Sequence, residues 1–77
     1  PEASVSVECE QVDAHRLEAR LLSEQFAYFV HLSTGLETTA FSDNYFDLEP
    51  GVAHTITVSD AHTDLRPEQI TVRQYLH

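Results

Sequence analysis

The fold turns on His15-Arg-Leu-Glu-Ala-Arg-Leu-Leu22. Its leucines, alanine, arginines and glutamate are good helix formers, and Asp13 stands where an N-cap would. Yet Leu17, Ala19 and Leu21 alternate with Arg16, Glu18 and Arg20, the period of a half-buried strand. The neighbours decide. Upstream, Ala3 to Gln11 alternates with Val5, Val7 and Cys9 on one side. Downstream, Phe26-Ala-Tyr-Phe-Val-His-Leu-Ser-Thr34 is aromatic and β-branched, with Phe26, Tyr28, Val30 and Leu32 on one face. Between two such segments a meander is a simpler solution than a lone helix, so a strand is expected.

The same pattern continues outward. Ala53 to Ser59 places His54, Ile56 and Val58 on one face, and Gln69 to Leu76 does so with Ile70, Val72, Gln74 and Leu76. Glu37 to Phe41 and Asn44 to Leu48 read as short strands around a Ser42-Asp43 turn, the second stopped by Leu48-Glu-Pro-Gly51. Asp60 to Glu68 reads as a connecting loop, in which Pro67 and Glu68 suit the start of one helical turn. Seven strands of about six residues and six loops of about four to five fill a chain of 77 residues. The fold class expected is therefore all-β: an immunoglobulin-like or fibronectin-like antiparallel sandwich of two sheets, one domain over residues 1–77.

Composition narrows the chemistry. Four cations against 13 anions leave a formal net charge of −9. All four are arginines (Arg16, Arg20, Arg66, Arg73), so neither a Schiff base nor a P-loop lysine is available, and a nucleic-acid backbone is an unsuitable partner. A surface of that charge also repels its own copies, which favours a monomer. The longest apolar run, Phe26 to Val30, is far short of a membrane span. One cysteine, Cys9, supports neither an internal disulfide nor a thiolate metal cluster, and its place on an apolar stripe makes it a small buried hydrophobe. The chain starts at Pro1 and contains no methionine, as expected of a fragment of something longer.

No catalytic constellation emerges. Among 13 carboxylates some pair will fall at glycosidase spacing by chance, but a filled two-layer sandwich leaves little room for a cleft. The acids are expected on the solvated surface. His15, His31, His54, His62 and His77 show no metal-ligand spacing; Asp60-Ala-His62-Thr-Asp64 and the Asp43, Asn44, Asp47, Glu49 group read as turns. With only Gly35 and Gly51 there is no nucleophile elbow. Seven aromatics, Phe26, Tyr28, Phe29, Phe41, Tyr45, Phe46 and Tyr75, would serve mostly in the core, leaving Phe29 and Tyr75 as the better exposed rings. No cofactor is expected.

Two stretches carry a resemblance. Leu48-Glu-Pro50-Gly51 followed by His54, Ile56 and Val58 resembles the loop that crosses between sheets in fibronectin-like domains, where a tyrosine takes the place of His54. The resemblance implies a ring donating to a backbone carbonyl, or else a looser corner. More specifically, Phe41-Ser-Asp-Asn-Tyr-Phe-Asp-Leu-Glu-Pro-Gly51, with Phe26 to Leu32 upstream, resembles the C-terminal Ig-like domain of β-mannosidases, glycoside hydrolase family 2. The likeness runs from about Ser6 to Tyr75.

That resemblance implies a noncatalytic module of an enzyme that removes terminal β-mannose with retention. Exo-glucosaminidases and β-galactosidase-like enzymes end in a similar domain, and a carbohydrate-binding module is the alternative role. The family's acid/base glutamate follows an asparagine, whereas Tyr45 follows the sole asparagine here, Asn44, so no catalytic residue transfers. Other domains of the parent glycosidase are the partners implied, with Phe29, Tyr45 and Phe46 as contact residues. Ser42, Asp43, Asn44, Pro50 and Gly51 are expected to form turns.

Overall fold

The computed structural model describes residues 4–74 as two antiparallel sheets facing each other. Seven strands follow in chain order: β1 (Val5–Asp13), β2 (Arg16–Ser23), β3 (Ala27–Ser33), β4 (Ala40–Phe41), β5 (Phe46–Leu48), β6 (His54–Ser59) and β7 (Thr71–Arg73). One sheet has the order β1-β2-β6-β4 and the other β5-β3-β7. This is the expected immunoglobulin-like sandwich.

The ambiguous segment is strand β2, paired on both sides. Ala19 lies opposite Cys9 of β1 and Ile56 of β6. Leu17, Ala19, Leu21 and Ser23 turn inward and are buried, while Arg16, Glu18 and Arg20 face solvent. Two flanking ladders override helix propensity. Asp13 does not cap a helix; its Oδ1 accepts the His15 backbone N–H at 2.8 Å, closing the β1–β2 hairpin as an Asx-turn.

The core is aliphatic. Leu17, Ala19, Leu21, Ala27, Val30, Leu32, Leu48, Ile56, Val58 and Leu65 are buried, and no ring is among them. Phe41 and Phe46 pack against its border, whereas Phe26, Tyr28, Phe29 and Tyr45 are exposed, contrary to the core role expected for most aromatics. The reason lies in β3. Its pairing with β5 steps from Ala27–Leu48 to Val30–Phe46, so three residues span what two span opposite. Such a bulge flips side-chain facing by one residue. Val30 and Leu32 keep the inward facing expected for them, but before the bulge Ala27 turns inward in place of Phe26 and Tyr28.

The 60–66 loop is more than a connector. Leu65 is 1% exposed, and its N–H donates to Ala14 O at 2.8 Å. The turn at Pro67–Gln69 is 3-10 helical, and the final strand is shorter than expected. The expected strand ends at Ala3 and at Tyr75-Leu76, and the exposed role suggested for Tyr75, lie outside the described residues.

Candidate functional site

Between β4 and β5 the chain leaves one sheet for the other, and Ser42, Asp43 and Asn44 each anchor that crossing at a different point. Ser42 sits beside β6: its N–H donates to Thr57 O at 2.9 Å, and its Oγ accepts the Thr57 N–H at 2.8 Å. Asp43 Oδ1 accepts the Asn44 N–H at 2.9 Å, and its Oδ2 accepts from His54 Nε2 at 3.0 Å. Asn44 reaches β3, where its Oδ1 accepts the Leu32 N–H at 2.9 Å and its Nδ2 donates to Leu32 O at 3.0 Å.

His54 thus takes a carboxylate partner where the fibronectin-like resemblance implied a backbone carbonyl or a looser corner. The physical reason is proximity: the crossing loop brings Asp43 to the ring edge, and Phe46 lies 4.1 Å away, centroid to centroid. Pro50 and Gly51 close the next corner. Val52 N–H donates to Glu49 O at 3.1 Å around a Gly51 φ of +74°, the geometry of a type II turn with Pro and Gly at its centre. Gly51 N–H also donates to Ser23 O at 2.8 Å, tying this corner to β2.

These anchors support an exposed aromatic surface on the β3–β5 ribbon. Phe29 and Tyr45 are 56% and 65% exposed, and both hold left-handed backbone, with φ of +48° and +55°. The Asp47 carboxylate accepts the Phe29 N–H at 3.0 Å and so pins the bulge. Tyr45 stacks on His31 at 5.0 Å between centroids, and Phe26 meets Tyr28 at 4.6 Å. Bulky residues in left-handed backbone carry strain of order 1–3 kcal/mol, which persists only where surrounding contacts impose it. Phe29 and Tyr45 both stand exposed on the ribbon, and Phe26, Tyr28 and His31, which the alternation pattern missed, join them in two ring pairs, Phe26 with Tyr28 and His31 with Tyr45. Phe46 stands apart from them, half-buried on the core side. The signal available was Ala27, the one small residue among four rings, which suits an inward position.

The acidic clusters serve as anchors. Asp60 is 1% exposed, an exception to the expectation that the acids are solvated. Its Oδ2 accepts from Thr38 Oγ1 at 2.7 Å and Thr39 Oγ1 at 3.1 Å. Its Oδ1 accepts the N–H groups of His62 at 2.9 Å and Thr63 at 3.0 Å. The Thr38 hydroxyl first, then the His62 amide, holds its pKa below the ordinary value against burial's smaller opposing effect, and the Thr39 hydroxyl and Thr63 amide lower it further. A groove of about 490 Å³ beside it, lined by His15, Arg16 and Ser59 among others, contains no paired nucleophile and base. Cys9 is half-buried, and desolvation pushes its thiol pKa up, away from the reactive thiolate. Among the described residues, no three His, Cys, Asp or Glu side chains converge as metal ligands.

A two-sheet sandwich whose Asp13, Asp43 and Asp60 carboxylates are spent on turns, with rings displayed on one ribbon, defines an Ig-fold module. The mannosidase Ig-fold family matches residues 1–76, nearly the whole chain, and the chain belongs to that family. No curated protein matches it.

Proposed function

We propose that this chain is a noncatalytic accessory domain of a β-mannosidase-type glycosidase, and that it docks on neighbouring domains through the ribbon bearing Phe29 and Tyr45. The parent would cleave terminal β-mannosidic bonds with retention, using carboxylates that lie elsewhere. The observation that carries this reading is the pair of exposed aromatics held in left-handed backbone, on a domain of a mannosidase family. Strained backbone that displays apolar rings to solvent suits a surface shaped for a partner. Phe46, half-buried, would contribute only its rim.

Two measurements test it. The 77-residue chain should release no nitrophenol from an aryl β-mannoside above buffer; turnover would overturn the noncatalytic reading. Titration with mannan oligosaccharides should leave backbone amide shifts of residues 26–31 and 45–47 in place. Clustered shifts there at low millimolar sugar would replace domain docking with carbohydrate binding.

A further inference from the structure

The two sheets are unequally closed at their β1 and β7 ends. On β2 every inward side chain is buried, but on neighbouring β1 the inward Val5, Val7 and Cys9 are only half-buried. They line, with Pro67 and the half-buried Ile70 and Val72, a groove of about 340 Å³. Among the described residues no strand pairs with the outer edge of β1 or of β7.

The β1 edge divides into two parts. At Gln11–Asp13 the pairing with β2 is irregular, and Gln11 Nε2 donates to Leu65 O at 2.9 Å, so the 60–66 loop covers that end. Along Val5–Cys9 the register is regular, with no proline, lysine or bulge. Exposed strand edges are ordinarily blocked by such features, and a regular edge beside an apolar groove is a template for another strand. On the solvent side of that edge stand Glu8 and Glu10, with Glu18 opposite Glu10 on β2. Arg20 approaches Glu8 only at 4.0 Å.

From this we infer that the Val5–Cys9 edge of β1 binds an extended segment of a partner polypeptide that alternates apolar and basic residues. Its backbone pairs with β1. Its inward apolar side chains close the groove over Val5, Val7, Ile70 and Val72, and its outward basic side chains lie beside Glu8 and Glu10. A second copy of this chain fits poorly, because its net charge of −9 opposes the same acidic edge.

The test uses the 77-residue chain and the synthetic peptide Lys-Val-Lys-Val-Lys-Val-Lys. Cys9 lies in the groove, so its reaction with Ellman's reagent reports occupancy. The peptide should slow that reaction several-fold and protect amides of Val5–Cys9 from hydrogen exchange. A peptide with proline at alternate positions, which cannot complete the ladder, should do neither. The double variant Glu8→Lys, Glu10→Lys changes two exposed side chains, keeps the fold by amide spectra, and should lose the response. The proposal is overturned if the lysine peptide changes neither readout, if the proline peptide acts equally, or if the double variant responds unchanged. Sedimentation showing a dimer that already protects Val5–Cys9 would assign the edge to a second copy and overturn it too.

Discussion

The Asn44 carboxamide satisfies both backbone polar groups of Leu32, accepting from its N–H at 2.9 Å and donating to its carbonyl at 3.0 Å. Leu32 lies two residues beyond Val30, and Asn44 two before Phe46, so the contact continues the Val30–Phe46 register of β3 with β5. A side-chain amide therefore occupies a ladder position that the backbone vacates as it crosses between sheets. Removing it leaves a buried leucine's amide and carbonyl without these bonds. Asn44→Ala is expected to cost about 1–3 kcal/mol, lowering the urea midpoint at constant slope. Asn44→Asp keeps the acceptor but sets a carboxylate against the Leu32 carbonyl, so it should not restore wild-type stability. An alanine variant within a few tenths of wild type would refute the anchoring role.

Asp60 gives the domain an acid-sensitive joint. Its carboxylate binds the 38–39 and 62–63 segments through four donors, and its folded pKa lies below the ordinary 3.8. For a depressed carboxylate, the added stability is present above the unfolded pKa and is lost as pH falls through the folded one. Asp60→Asn should therefore be less stable than wild type at neutral pH, and the gap should narrow as pH falls below about 4. Chemical denaturation of both proteins at pH 7, 5 and 3 measures this. A gap that stays constant across the series would remove the charged form from the explanation.

The bulge at Phe29 makes a different kind of prediction. A phenylalanine at φ +48° is strained, whereas asparagine tolerates that region. Phe29→Asn should keep the N–H bond to Asp47 and stabilise the isolated chain by about 1 kcal/mol. Phe29→Val, β-branched at the same φ, should destabilise it. If both variants unfold at the wild-type urea concentration, the backbone there carries no appreciable strain, and the functional weight placed on this ribbon falls with it.

Much of the architecture was legible because most inward residues sit at alternate positions: Leu17, Ala19 and Leu21, or Ile56 and Val58. The crossing at Ser42-Asp43-Asn44 was legible as a turn, because short polar side chains there compete well for backbone groups. The facing of Phe26 and Tyr28 was not, since one inserted residue reverses a strand's sides and the small Ala27 among the rings is its one local mark; Asp47, which pins it, comes 18 residues later than Phe29. The carboxylate partner of His54 was hidden as well, being set by where the β4–β5 crossing meets the start of β6.

Leu65 was hidden too, as a single leucine among turn-forming residues with no periodicity around it. It nevertheless reaches the core, and two bonds hold its backbone: its N–H to Ala14 O, and its carbonyl from Gln11 Nε2. If burial sets its worth, Leu65→Ala should cost about 2–5 kcal/mol, as a buried strand leucine such as Leu21 does. In a domain stable by about 5–15 kcal/mol, that is a large share. Thermal or urea unfolding of Leu65→Ala and Leu21→Ala side by side provides the comparison. A Leu65 variant close to wild type, with Leu21→Ala strongly destabilised, would return the 60–66 segment to the status of a passive connector.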